Sequence, residues 1–225
     1  MIGAAESEKL VESSDRLATS RAERKAQSRR RIIEAARDVF FRDGFMAANL
    51  DEVAERAGVA KGTLYRYFES KADLYVAVLA DNGDVFVRKM ADSADATPDS
   101  ATAAIESMSR FYLDWWVRHN DYFQIFWAID NEAVIGQLPE QVVSEVTRLW
   151  EESLQILDRL IRQGVENGEF APCNSWAMAN MLWTTANSLI QSDSTWSRRR
   201  LRRTALADVF EEFISLFLRG MSTKP

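Results

Sequence analysis

The chain has 225 residues, 47% of them hydrophobic and 28% charged, with 9 Gly, 4 Pro and a formal net charge of −6. That length can bury a sizeable core as one large or two small domains, and its single cysteine, Cys173, excludes an internal disulfide and a thiolate zinc cluster. No window approaches the roughly 18 uninterrupted apolar residues of a membrane span, and the opening Met1-Ile2-Gly3-Ala4-Ala5-Glu6 lacks the features of a secretion signal, so a cytoplasmic protein is expected.

Few breakers, abundant Ala, Leu, Glu and Arg, and no run of alternating β-branched residues predict an all-α fold. Residues 1–23 are polar with little apolar periodicity and read as a flexible arm. The first strong helix is expected from about Arg24 to Arg42, burying Ile32, Ala36, Val39 and Phe40, and Asp43-Gly44 closes it. Asn49 is a good N-cap, and Glu52 three places on completes a capping-box pattern for a helix from Leu50 to Ala57. The turn Gly58-Val59-Ala60 leads to a third short helix, Lys61 to Phe68. Ser70 with Asp73 then caps a longer helix from Lys71 toward Met90. After a loop carrying Pro98, helices are expected near 100–119, 121–131, 139–167, 173–192 and 203–219, with Pro139, Gly168, Pro172 and the stretch 192–197 as breaks.

Charge is divided unevenly. Between Arg21 and Lys71 there are 12 Lys/Arg against 8 Asp/Glu, a balance of +4, whereas residues 72–225 carry 14 against 22, a balance of −8. A basic head on an acidic body is the asymmetry expected when one end alone meets phosphate. Residues 49–68 supply what a DNA-reading helix pair requires. Ala54 is small where the helices cross, Gly58 stands at the turn, and Val59, Leu64 and Phe68 can hold the second helix. Its outward face then carries Lys61, Thr63, Tyr65, Arg66 and Tyr67, donors suited to phosphate oxygens and base edges, while Gly62 lets the backbone approach the duplex. Asn49 adds a phosphate hydrogen bond. The basic residues Arg21, Arg24, Lys25, Arg29, Arg30 and Arg31 reach the DNA backbone or form a solvated helix end.

The run Ala57-Gly58-Val59-Ala60-Lys61-Gly62-Thr63-Leu64-Tyr65-Arg66-Tyr67-Phe68-Glu69-Ser70-Lys71, within residues 24–80, resembles the DNA-binding domain of the tetracycline-repressor (TetR) family. The resemblance implies an N-terminal three-helix bundle with a helix-turn-helix, residues 24–72, and a larger helical domain, 73–225, that binds a small-molecule effector and dimerises. It implies operator contacts from Thr63, Tyr65, Tyr67 and Lys71, with Lys61 and Gly62 opening the recognition helix. It also implies pairing of the last two helices with a second subunit, for which Leu206, Phe210, Phe213 and Phe217 are the candidates. Ala48 and Ala60 depart from the hydroxyl residues common in the family, which removes two phosphate contacts.

The C-terminal part is rich in aromatics, and a pocket walled by Tyr112, Trp116, Phe123, Trp127 and Trp183 is expected between its helices for an apolar or aromatic ligand. Asn180, Thr184 and Asn187 repeat at helical spacing and bind either the effector's polar group or a partner subunit. His119 reads as a helix end rather than a metal ligand. The cationic run Arg198–Arg203 reads as a solvated loop or salt-bridge partner. No catalytic constellation, metal site or cofactor is expected: one His and one Cys offer no dyad at an evident spacing, and no phosphate-binding Gly loop is present. The reading is a dimeric one-component regulator, a repressor released from a pseudo-palindromic operator by its effector. A helical dimerisation module without DNA binding, and a small-molecule-processing enzyme, are the alternatives.

Overall fold

The computed structural model describes residues 3–97, 99–128 and 138–223, with side chains described from residue 22 onward except at 125, 127 and 128. The expected all-α fold is observed. Ten helices occur among the described residues: α1 (Gly3–Ala47), α2 (Leu50–Arg56), α3 (Lys61–Leu64), α4 (Lys71–Asp95), α5 (Ala101–Arg118), α6 (Asn120–Ala128), α7 (Glu140–Glu166), α8 (Ser175–Asp193), α9 (Trp196–Arg202) and α10 (Leu206–Met221). The one extended pairing among them is an isolated bridge between Phe170 and Ser222. The chain forms two compact units, Met1–Val78 and Leu79–Pro225.

In the first unit α1 is helical from Gly3, well ahead of the expected start near Arg24. Its opening turns are built from Ala, Glu, Ser, Lys and Leu with no proline, so helix propensity carries the backbone where apolar periodicity gives no signal. Gly44 interrupts α1 with φ 72° and ψ 171°, a conformation open essentially to glycine alone. The face formed by Ile32, Ala36, Val39 and Phe40 is buried as its spacing requires, and Phe40 packs edge-on against Tyr75 at 4.7 Å.

In the second unit α5, α7, α8 and α10 pack together, with α6 against α5 and α9 against α8. Two glycines allow close approach. A Cβ on Gly83 would lie 2.4 Å from Leu149 Cδ1, and one on Gly164 would lie 2.2 Å from the Phe170 ring. Gly164 therefore accepts the roughly 1 kcal/mol helix penalty of a glycine to admit a fully buried phenyl ring. Glu169 caps α5 from the outside: its carboxylate accepts from the Ala101 and Thr102 amides and from Ser100 Oγ at 2.8–3.0 Å. Burial opposes ionisation of Glu169, but the Thr102 and Ala101 amide bonds prevail and hold its pKa below the ordinary glutamate value.

The run Arg198–Arg203 belongs largely to a helix, α9, and not to a loop. Arg199, Arg200 and Arg202 occupy its last turn, where cations complement the negative helix end, so the run stabilises its own helix.

Candidate nucleic-acid interface and effector cavity

The geometry of the helix-turn-helix follows from three local devices. Asn49 Oδ1 accepts from the Asp51 amide at 2.8 Å and caps α2. Glu52 does not close the capping box; its carboxylate is held instead by Arg42 and Arg56. At the other end of α2, the Gly58 amide donates to Glu55 O and the Val59 amide to Ala54 O, with Gly58 left-handed at φ 65°. This paired closure is the Schellman arrangement, and it turns the chain sharply into α3. Ser70 Oγ accepts from the Asp73 amide at 3.0 Å and starts α4.

The expected eight-residue third helix is one α-helical turn, Lys61–Leu64, followed by tighter turns. Tyr67 N donates to Leu64 O at 2.9 Å and Arg66 N to Thr63 O at 3.2 Å. Nothing in the chain lies within 4 Å of where a Cβ on Gly62 would stand, so the fold itself does not demand a glycine in that first turn. Leu64 and Phe68 are buried and anchor the segment. Lys61, Gly62, Tyr65 and Arg66 are exposed, and Thr63 and Tyr67 are half-buried at its edges. Tyr65 is 46% exposed although aromatic, which hydrophobic burial alone disfavours.

Two cations of this surface are already engaged. Lys61 Nζ pairs with Asp51 Oδ1 at 2.6 Å, and that hydrogen bond raises the lysine pKa. Lys71 Nζ donates to Met46 O at 2.9 Å and sits 5.3 Å from the centre of the Phe45 ring, while burial lowers its pKa. Lys71 thus ties the start of α4 to the end of α1. Arg29 lies over the Phe68 ring at 5.3 Å, so this member of the basic stretch braces the back of the recognition segment. Asp51 and this bracing role were not legible from composition, because both depend on which helix faces come together.

In the second unit two small apolar cavities, each of about 20 Å³, are both lined by Tyr112 and Trp183. Met90, Met108, Leu157 and Leu182 line one; Phe86, Trp116, Phe126 and Trp150 line the other. Three of the expected pocket residues, Tyr112, Trp116 and Trp183, are thereby brought together. Phe123 is instead core: it is fully buried against Trp116 at 5.6 Å and lines neither cavity. The Trp127 side chain lies outside the described residues. Phe210, expected at a subunit interface, is 2% exposed within the single chain and lines the cavity beside Met90 and Met108, so its neighbours on α10 must serve any pairing. Leu206, Phe213 and Phe217 are half-buried and Leu216 is exposed.

The polar series on α8 divides. Thr184 is exposed and Asn180 donates to the Trp176 carbonyl, whereas Asn187 is 1% exposed and accepts from Tyr112 Oη at 2.6 Å. Asn187 Nδ2 has no partner. Burial pushes the Tyr112 phenol well above its ordinary range, against the pull of the Asn187 bond, so Tyr112 is a neutral donor at any working pH. A buried amide donor without a partner costs on the order of 1–3 kcal/mol, which a ligand carbonyl or a water would recover. His119 ends α5 as its position suggests: it stacks on Trp115 at 4.2 Å and its Nδ1–H donates to the Trp115 carbonyl at 2.8 Å.

Comparison with known proteins agrees with this geometry. The family model described as bacterial regulatory proteins, tetR family, matches residues 32–78. The chain is 39% identical over 88 residues to the HTH-type transcriptional activator FasR of Mycolicibacterium smegmatis, a match spanning 38% of this chain and 40% of FasR. It is 31% identical over 157 residues to the HTH-type transcriptional regulator RutR of Escherichia coli K12, covering 68% of this chain and 69% of RutR. The fold also matches a crystal structure of the transcriptional regulator FadR from Bacillus subtilis in complex with stearoyl-CoA. That match has a TM-score of 0.66 and 20% identity, over 85% of this chain and 98% of FadR. Helix-turn-helix, all-α body and the RutR match together make this chain a member of the TetR family of transcriptional regulators.

Proposed function

We propose that this chain is a cytoplasmic, dimeric repressor that holds a pseudo-palindromic operator and releases it when an apolar effector enters the second unit. The observation that carries the DNA reading is the α3 surface: Leu64 and Phe68 are fixed in the core while Lys61, Tyr65 and Arg66 stand in solvent on the same short segment. Asn49, Gly62, Thr63, Tyr67 and Lys71 complete the contact set, with Lys71 leaving Met46 or acting through the position it gives α4. Residues 24–72 read the DNA, 1–23 form an arm, and 73–225 bind effector and partner. A dimer presenting two such segments one DNA turn apart, roughly 34–36 Å, would read a two-fold site.

The two apolar cavities around Tyr112 and Trp183, and the unpartnered Asn187 amide beside them, support an effector with an apolar body and a hydrogen-bond acceptor. The stearoyl-CoA held by FadR supports the same class of ligand. Exposed Trp176 and Met181 on α8 and Leu216 on α10, with half-buried Phe213 and Phe217, supply the apolar face for pairing. The effector signal runs through α4, which starts in the first unit and continues in the second. There it is tied to α7 by Arg148–Asp84 at 2.8 Å and Arg159–Asp95 at 3.2 Å. Full switching requires the ligand to favour the released state by about 5 kcal/mol.

The test is fluorescence anisotropy of DNA from the gene's own promoter region, at fixed salt, with and without candidate effectors. Saturable binding that competitor DNA does not remove, and that an effector reverses, is expected. Binding with no sequence preference, or operator affinity unmoved by every ligand that enters the protein, would refute the reading.

A further inference from the structure

Residues 25–31 of α1 carry four cations, Lys25, Arg29, Arg30 and Arg31. Because α1 starts at Gly3, this run stands in mid-helix and is not a solvated helix end. All four side chains are exposed, and none has a carboxylate within salt-bridge reach among the described residues. Lys25 and Arg29 are four apart, a spacing at which like charges destabilise a helix. A bound anion relieves that repulsion.

Helical spacing fixes where these charges stand. Lys25 and Arg29 come seven residues, two turns, before Ile32 and Ala36, so they prolong the stripe that α1 buries past the point where the core ends. Beside that stripe lies the helix-turn-helix. Arg29 sits over the Phe68 ring at 5.3 Å, and Arg31 Nη1 comes within 3.9 Å of the Cβ position of Gly58. The run thus touches the recognition segment at its turn and at its far end. Arg30 falls about 140° round the helix from Lys25 and faces away from it. The α3 segment itself is short of free charge. Lys61 is paired with Asp51 and Lys71 is held by the Met46 carbonyl, which leaves Arg66 as its one uncommitted cation among the described residues.

We propose that Lys25 and Arg31 grip backbone phosphates of the DNA beside the stretch that α3 reads, in a contact blind to sequence, while Arg29 fixes α1 against Phe68 between them. This rests on the DNA reading above and adds a second contact from a different helix. Lys25 and Arg31 are six residues apart, about 9 Å along the helix axis, so they meet separate phosphates. Phosphate contacts set the register and strength of docking and carry no sequence information, whereas base edges do. Reading and holding are therefore divided: the nearly neutral α3 surface reads, and the charge of α1 holds. The two are separable, because a phosphate contact alters the salt dependence of binding to any duplex and leaves the choice among duplexes alone.

The test is anisotropy of the full chain on DNA from the gene's own promoter region and on a scrambled duplex of equal length, from about 50 to about 200 mM salt. The double variant K25Q/R31Q should bind both duplexes more weakly by the same factor, about tenfold at the low-salt end. Its plot of log affinity against log salt should be shallower by about 2 for each bound subunit, since one lost phosphate contact removes about 0.9. Lys25→Gln alone, two turns clear of the core, should account for about half of that change, and Arg30→Gln for less than about a quarter. These side chains are exposed, so thermal unfolding of all three variants should match the parent chain. A parental slope in the double variant, with promoter DNA still preferred, overturns the α1 contact and leaves the α3 reading standing. An equal change in Arg30→Gln makes the effect one of diffuse charge and overturns it too. Loss of the preference for promoter DNA in the double variant overturns the sequence-blind contact in favour of base reading by α1. If the parent chain itself does not prefer promoter DNA, the DNA reading and the α1 contact fall together.

Discussion

The helix-turn-helix unit and the C-terminal unit are built on opposite principles. In the first, each turn is fixed by a neighbour a few residues away: Asn49 to Asp51, Gly58 to Glu55, Ser70 to Asp73. In the second, the contacts that matter join residues far apart: Tyr112 to Asn187, Glu169 to Ala101, Gly83 to Leu149. A surface that must match a rigid duplex profits from local rigidity. A cavity assembled from distant helices can change shape by small shifts of its walls, which is what a switch requires.

That contrast can be broken at several points, and the largest effect is expected in the aromatic cluster. Phe86 is buried and meets Phe111, Tyr112, Trp115 and Trp116 at 4.8–6.0 Å. Phe86→Ala should cost about 3–5 kcal/mol in chemical denaturation and blur the tryptophan emission of the second unit. Tyr65→Ala should do the reverse, lowering operator affinity by about 1–3 kcal/mol in anisotropy while leaving the melting temperature within error. If Tyr65→Ala destabilises the fold instead, the α3 surface is structural and the contrast fails.

Gly58→Ala probes the local device itself. At φ 65° a side chain costs about 1–2 kcal/mol, with no steric clash to add, since the nearest atom to the new Cβ is Arg31 Nη1 at 3.9 Å. The loss should be read by thermal unfolding, and helix content by circular dichroism should hardly move. Glu169→Gln probes the distant kind of contact and should cost about 1 kcal/mol, because the site is only partly buried. Its pH dependence has a definite sign. The folded pKa is depressed, so the carboxylate's contribution is complete above the ordinary glutamate range and is lost as the pH falls below that range through the folded value. The parent chain should therefore lose stability on acidification in that window, and Glu169→Gln should lose less.

The same distinction explains what was legible in the chain before its structure. Caps, turns and the α3 surface could be read because Asn49, Gly58, Leu64 and Tyr65 act within one or two turns of themselves. The boundaries of α7 and α8 were legible from Pro139, Gly168 and Pro172 for the same reason, whereas the Asn174 cap of α8 emerges only in the structure. That Phe123 and Phe210 are covered within their own chain was not legible, because an apolar stripe shows which face is buried and not what buries it. α9 was hidden by its charge: with no apolar face its periodicity is silent, and its stability comes from its arginines and the contact with α8. Asn187 stood in a series of three similar polar residues. Only the packing of α8 against α5 singles it out.

The pairing of Lys61 with Asp51 bears on how tightly operator binding follows the salt in solution. A free lysine meeting a phosphate expels a condensed cation from the DNA, and each such expulsion steepens the fall of affinity with ionic strength. Lys61 arrives with a built-in counterion, so docking must first swap one carboxylate for one phosphate oxygen. In the proposed complex the lysine would then contribute discrimination of a correctly placed phosphate more than general stickiness. An Asp51→Asn chain should grip all DNA harder and choose among sequences less well.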